Sequence, residues 1–440
     1  MSQWLSVDED RELTEQEILD LYSDRWQTIT FNARQCVPAV LESLFPLFLR
    51  LFLCSFLQGL VYRIKVNNLS HLIVVSLAFY LLTFQLEEKW TAFVAIGYYC
   101  ASILVDTMFL GRKERGPASI LVAIIYIGVW QTQLSSIHFM QIRGSLMIMA
   151  MKSISFSFDG ISASIHERNA YIFNPSTVLF GPFISYRSFK INLLTPNNFW
   201  KTSALSLVYL IFSSFCVLYS SCFVEFIPDH VEILKDYGAA QSYRFSHYFI
   251  CYLSLATVLM AGMSTSYQTT KLSAIELPRS MSEVVVHWNH SMHEFLHKYI
   301  YTSLLSYGYF VAMIGSFVMS SLLHGFNFQL TAVLMSLAYY AYSESVFRSR
   351  LAHRLSACVR SRSCSSNCLH KRNNLSIITF TINMLFFALN VYHLIYLGMP
   401  FDGTAEEVGY SWHHTLDHWK RWNFSSHLLN TGLLVLSFII

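Results

Sequence analysis

The stretch YFVAMIGSFVMSSLLHGFNFQLTAVLMSLAYYAY, residues 309–342, contains no Asp, Glu, Lys or Arg and a single histidine, His324. A helix packed on a soluble domain keeps one charged face toward water, and this stretch has none to present. Its two apolar parts, about Tyr309–Leu323 and Phe328–Tyr342, read as adjoining membrane segments. Others of the same kind lie at about Val37–Val61, Leu69–Phe84, Trp90–Leu110, Ala118–Met140, Phe199–Phe226, Tyr248–Met263, Ile377–Met399 and Leu428–Ile440. Crossing a bilayer takes about 20 helical residues, so the shorter ones must be tilted, partial or continuous with a neighbour.

The whole chain carries the same signature. Of its 440 residues 54% are hydrophobic and 13% charged, with mean hydropathy +0.40. A soluble domain has about a quarter charged residues, so lipid is the solvent for most of this chain. The fold class expected is all-α: a polytopic membrane protein of about nine to eleven transmembrane helices with re-entrant segments. No polar linker divides them, so residues 31–440 read as one transmembrane domain. Residues 1–30 form a polar, acidic lead-in. Within it Thr14 and Glu17 make a capping box that predicts a short surface helix. Asp8, Glu9, Asp10 and Glu12 are the wrong start for a cleavable signal peptide, so insertion is expected to rely on the first apolar spans. A net charge of +3 without a basic stripe excludes nucleic acid as a partner. Cys54, Cys100, Cys216 and Cys251 lie inside apolar runs and read as small buried hydrophobes, not a disulfide framework.

Lys and Arg set the orientation. The segment from Phe347 to Arg372 holds Arg348, Arg350, Arg354, Arg360, Arg362, Lys371 and Arg372 without an acidic residue, and faces the cytosol by the positive-inside rule. Arg112, Lys113 and Arg115 mark another cytosolic turn, and residues from Phe401 to Phe424 fall on the far face. Counting back from Tyr342, His324 is about 27 Å from the cytosolic end, inside the bilayer or near its far side. Sequons at Asn68, Asn374 and Asn423 check this, because a glycan on Asn374 contradicts it.

Ionisable groups at membrane depth are costly and mark function. Arg143, Lys152 and Asp159 either serve a site or bracket a short span, with Lys152 snorkelling. Phe180-Gly181-Pro182-Phe183 is either a re-entrant segment lining a cavity or a plain loop. Glu276-Leu277-Pro278-Arg279-Ser280 leads to His287-Trp288-Asn289-His290, and His324-Gly325 follows. A neutral imidazole in apolar surroundings accepts a proton from a hydroxyl, and Gly325 lets another backbone or a substrate approach. His293-Glu294-Phe295-Leu296-His297 matches H-E-x-x-H, the signature of a zinc protease, without an obvious third ligand. Cys358, Cys364, Cys368 and His370 share the basic loop at C-x5-C-x3-C-x-H, not a common zinc spacing. Palmitoylation, a metal or a structural role fits them, and no metal site is assigned. No G-x-S-x-G elbow or P-loop is present.

Met140-Gln141-Ile142-Arg143-Gly144, Phe180-Gly181-Pro182, Val284-Val285, Trp288-Asn289, Leu322-Leu323-His324-Gly325-Phe326 and Leu355-Ser356-Ala357-Cys358 resemble, in that order, the membrane-bound O-acyltransferase family. Within it they are most similar to enzymes that lipidate Wnt proteins. The resemblance implies an endoplasmic-reticulum enzyme that moves a monounsaturated acyl group, palmitoleoyl, from coenzyme A to a serine of Wnt in the lumen. It binds no permanent cofactor and takes palmitoleoyl-CoA as donor. Wnt proteins, acyl-CoA and membrane lipids are the implied partners. The family's histidine falls on His324, as general base, and its asparagine on Asn289, which would bind the thioester carbonyl or orient the imidazole. Trp288, Ser321, Gly325 and Arg279 are the candidate substrate-binding residues. Relatives of this kind commonly continue Trp-Asn-Leu-Pro-Met, where this chain has Trp288-Asn289-His290-Ser291-Met292. A donor and acceptor on opposite sides imply a central tunnel with direct transfer. The rival readings are a sterol or phospholipid acceptor, a transporter, or the protease built on His293, Glu294 and His297.

Overall fold

The computed structural model describes residues 15–85, 89–160, 163–194, 197–228, 231–263, 267–364, 368, 370–373, 376–403 and 410–440. Among them the chain is helical, with one isolated parallel bridge between Ala357 and Arg372. The first helices are α1 (Glu15–Ile64), α2 (Asn68–Gln85), α3 (Lys89–Met108), α4 (Arg115–Gln133) and α5 (Ser136–Asp159). They are followed by α6 (Ile165–Ile172), α7 (Tyr186–Leu194), α8 (Phe199–Leu218) and α9 (Glu232–Met260). Short pieces come next: α10 (Leu272–Glu276), α11 (Met281–Trp288), α12 (His290–Phe295), a π-helical turn (Leu296–Tyr301) and the single turn α13 (Thr302–Leu304). The remainder is α14 (Tyr309–Leu323), α15 (Phe328–Leu355), α16 (Ile377–Gly398), α17 (Trp412–Arg421) and α18 (Ser425–Ile439).

Ile29–Ile64, Phe199–Phe223 and Ile377–Gly398 are long and apolar enough to cross a membrane, and Asn68–Thr83, Ala92–Met108, Tyr309–Leu323 and Ser425–Ile439 are shorter apolar helices. Their outer faces are lipid-like. Phe45, Leu49 and Leu53 follow at four-residue spacing on α1, and Leu207, Ile211 and Phe215 do so on α8; all are exposed, Ile211 by 72%. Such stripes are stable only against an apolar solvent. Inside, small polar residues let helices approach. Ser206 and Ser213 of α8 donate to the Ala256 and Phe249 carbonyls of α9 at 2.6 and 2.9 Å. On the other side of the bundle, Asn430 of α18 bonds His393 of α16 (2.9 Å) and Ser343 of α15 (3.1 Å).

The Gly-Pro stretch proves to be irregular backbone buried within protein, and its Gly181–Pro182 peptide is cis. Residues 173–186 are almost wholly enclosed, so their polar groups need protein partners. Gln58 Oε1 accepts from Ser176 N–H (3.2 Å), Thr257 donates to the Ser176 carbonyl (2.8 Å), and Ser155 accepts from Tyr186 N–H (2.9 Å). Lys152 completes the set. It is 1% exposed, and its amine donates to the Ile172 carbonyl (3.4 Å) and to Thr177 Oγ1. It therefore does not snorkel. Asp159 is bound by Lys298 and Tyr299, both at 2.6 Å.

Three further expectations are corrected. The lead-in helix is not a separate element, since α1 runs unbroken from Glu15 through the first apolar span; its predicted cap Thr14 lies outside the described residues, as does Asn374. Cys100 is exposed, although Cys54, Cys216 and Cys251 are buried. Arg348, counted among the cytosolic surface charges, is fully buried on α15 and paired with Glu344 at 2.8 Å. A disulfide also joins Cys36 of α1 to Cys222 just after α8. Cys222 adjoins the start of α9, where Asp236 accepts from Arg421 and Trp422 at 2.6 and 2.7 Å. This end of the bundle is opposite the basic loop that precedes α16. Disulfides persist on the oxidising side of a membrane, which agrees with the basic loop being cytosolic.

Replacing Lys152 by Met keeps the bulk and strips the Ile172 carbonyl of its donor. The expected loss is about 1–3 kcal/mol, read as a lower unfolding temperature in detergent; an unchanged transition contradicts the role assigned to this amine.

Candidate active site

His324 closes α14. Its N–H reaches the carbonyls of Ser320 (3.3 Å) and Ser321 (3.1 Å), and Gly325 then reverses the chain with φ +87°. Asn327 caps α15, accepting from Leu330 N–H at 3.0 Å. Gln131 of α4 clamps the turn from outside: its Oε1 accepts from Phe326 N–H (2.6 Å) and its Nε2 donates to the Phe326 carbonyl (3.2 Å). A Cβ on Gly325 would stand 2.9 Å from both Gln131 Oε1 and Phe139 Cε1. Gly325 is thus required by the sign of φ and by close protein packing, not by a visible substrate path. Ser321 is likewise engaged, with its hydroxyl 2.5 Å from that of Thr331 on α15.

The His324 ring has no hydrogen-bond partner among the described residues and is half-buried. Arg143 of α5 and His247 of α9 lie within electrostatic range of it. His247 and Tyr243, also on α9, are half-buried as well. His247 lies flat on Trp288, with centroids 4.4 Å apart and planes 4° apart, and its Nε2 is 2.9 Å from the Trp288 carbonyl oxygen. Tyr243 stacks on Trp288 at 5.9 Å and on Phe401 at 3.9 Å. Trp288 is therefore fixed in plane by α9, and His247 joins its segment to the surroundings of His324.

Asn289 sits at the break between α11 and α12. Its Oδ1 accepts from Met292 N–H (3.1 Å) and from the Ser291 hydroxyl (3.0 Å), so the asparagine caps α12. The break persists without the proline of the common pattern, since the cap and the bond from His290 N–H to the Thr269 carbonyl (2.8 Å) hold it. The Asn289 Nδ2 has no hydrogen-bond partner among the described residues and remains a donor. No hydrogen bond joins Asn289 to His324.

Arg279 lies elsewhere. Its Nη2 donates to the carbonyls of Cys358 (3.2 Å) and Arg360 (3.4 Å) in the basic loop, and its own carbonyl accepts from Arg348 (2.6 Å). It anchors the start of α11. Glu276 is bound by Arg244 at 2.9 and 3.3 Å and by the Tyr248 hydroxyl at 2.7 Å. The H-E-x-x-H residues do not assemble around a metal position: His287, His290, His293 and His297 stack as successive rungs at 6.1–6.5 Å, and Glu294 is exposed. Sequence reasoning missed Gln131, Tyr243 and His247, none of which belongs to a motif. Arg143 was singled out but left between two readings.

Residues 159–367 match the membrane-bound O-acyltransferase family. The chain is 33% identical to the protein-serine O-palmitoleoyltransferase porcupine of Mus musculus, covering 90% of this chain and 94% of that one. The porcupine of Homo sapiens is 32% identical with the same coverage, and that of Drosophila melanogaster 33% identical over 68% of this chain and 64% of its own. With such similarity along nearly its whole length, this multi-pass membrane chain belongs to the membrane-bound O-acyltransferase family.

Proposed function

We propose that this protein is an endoplasmic-reticulum protein-serine O-acyltransferase that moves a palmitoleoyl group from coenzyme A to a serine of Wnt proteins. The observation that carries this reading is the setting of His324: a half-buried imidazole without a hydrogen-bond partner among the described residues, on a turn held by Gln131 and Gly325. The printed activity of the relatives over about 90% of the chain supports the reaction class.

The acyl-CoA enters from the cytosolic side and the acceptor serine from the lumen. His324 takes the hydroxyl proton as the serine oxygen attacks the thioester carbon. Negative charge grows on the carbonyl oxygen, where the available donors are the Nδ2 of Asn289 and Arg143, neither of which has a hydrogen-bond partner among the described residues. The carbon–sulfur bond breaks, and the coenzyme A thiolate takes the proton back from His324. Trp288, held flat by His247, supplies a rigid wall for the acyl chain. Ser321, Gly325 and Arg279 act through positioning: the first two fix the turn, the third fixes α11.

Labelled palmitoleoyl-CoA presented with a serine-containing Wnt peptide, a sterol and a phospholipid tests the acceptor class; label only on a lipid contradicts the proposal. His324→Ala is expected to lower peptide acylation by about 10²–10⁴-fold with the purified protein still monodisperse, and retained activity removes the general base. Gly325→Ala pushes the turn off Gln131 and Phe139, and a displacement of about 1 Å lowers turnover about a hundredfold. Wild-type turnover in that variant contradicts the positioning argument.

A further inference from the structure

The basic loop between α15 and α16 brings together four side chains that the acyl-transfer chemistry does not use. The Sγ atoms of Cys358, Cys364 and Cys368 and a ring nitrogen of His370 all lie within 4.8 Å of one another. Cys358 Sγ is 3.1 Å from Cys368 Sγ and 3.7 Å from His370 Nδ1, and Cys364 Sγ is 3.5 Å from the same nitrogen. A disulfide sulfur pair stands at about 2.05 Å, so Cys358 and Cys368 are not bonded. A tetrahedral zinc, with Zn–S of about 2.3 Å and Zn–N of about 2.0 Å, sets ligand-to-ligand edges of about 3.5–3.8 Å. Both sulfur–nitrogen distances fall in that range, and the sulfur–sulfur distance needs a shift of about 0.7 Å to reach it.

The frame around these ligands is already built. Ala357 and Arg372 form the one bridge of the described structure; Cys358 N–H donates to the Arg372 carbonyl (3.0 Å) and Arg372 N–H to the Ser356 carbonyl (2.9 Å). Those bonds close the loop just outside the first and last ligands. The Cys358 carbonyl accepts from Arg279 (3.2 Å) and Asn383 (3.4 Å), and the Val359 carbonyl accepts from Arg348 (2.6 Å). Charge complements the set. Three thiolates and a neutral imidazole around a divalent ion carry one net negative charge, and the same loop holds Arg360, Arg362, Lys371 and Arg372 without an acidic residue. The positive-inside rule puts this loop on the cytosolic, reducing face, where free thiols persist. Sulfur-rich tetrahedral ligation favours zinc among the common divalent ions.

We propose that Cys358, Cys364, Cys368 and His370 form a closed structural zinc site that fixes the cytosolic loop and, through its carbonyls, the start of α11. With all four positions filled by protein, the ion holds structure and activates no water. The site is independent of the acyl-transfer reading, because its occupancy is measured without any acyl donor.

The test uses the full chain purified in detergent under reducing conditions without chelator, with metal measured by inductively coupled plasma mass spectrometry. About one zinc per wild-type chain is expected. The paired substitution Cys364→Ser and Cys368→Ser, which spares the buried Cys358, is expected to lower zinc content about tenfold or more. Because that variant could fail to fold, a second measurement uses wild type alone. After loading with cobalt it is expected to show thiolate-to-metal charge-transfer bands and the strong visible bands of tetrahedral cobalt, with thiol labelling at these positions rising once the metal is chelated. Wild-type protein that takes up less than about a tenth of an equivalent of zinc at neutral pH overturns the proposal. So does a Cys358–Cys368 disulfide found by mass spectrometry in the reduced protein.

Discussion

Glu344 and Arg348, one turn apart on α15, form a buried ion pair on which much of the remaining structure is hung. Taking two charges out of water costs several kcal/mol per ion unless nearly every donor and acceptor is met. Here they are met by other parts of the chain. Glu344 accepts from Met281 N–H (2.7 Å) at the start of α11 and from Asn390 (3.2 Å) of α16. Arg348 donates to the carbonyls of Arg279 (2.6 Å), Val359 (2.6 Å) and Arg360 (3.2 Å), and to Asn383 (2.7 Å). The pair thus fixes α11, the cytosolic loop and α16 against one helix. That helix begins, at its other end, at the turn carrying His324. Through α11 the same pair sets the position of Trp288 and Asn289.

A separate constraint governs the reacting end. His324 gains its setting from a helix end instead of a helix middle, so its backbone is held while its ring stays unengaged. Arg143 of α5 and His247 of α9 lie within electrostatic range of the ring, and His247 in turn stacks on Trp288 of α11. Aromatic stacking of His247 and Tyr243 on Trp288 joins two of those elements without spending the polar edges that chemistry needs.

Much of this was legible before any coordinates. The uncharged run around His324 and the low charged fraction identify a membrane protein, because lipid leaves no alternative for so apolar a chain. His324 and the capping Asn289 were found through short motifs. Other features left no local trace. The Cys36–Cys222 link spans 186 positions and has no spacing signal, while Gln131 and His247 act by meeting distant backbone. Arg348 misled for one reason: a charge in a basic segment reads as solvated surface, and only the fold reveals that neighbouring carbonyls enclose it. The cysteine spacing misled in the opposite direction, since its irregular intervals conceal four ligand atoms in one place.

The central claim is that one imidazole is reached by a thioester from the cytosol and a hydroxyl from the lumen. A structure of the protein with a non-hydrolysable palmitoleoyl-CoA analogue and a serine-containing Wnt peptide tests it most directly. The account predicts the serine oxygen within hydrogen-bond distance of a His324 ring nitrogen and the acyl chain running along Trp288. A reactive carbonyl bound out of reach of His324, or a ring walled off from both ligands, contradicts it.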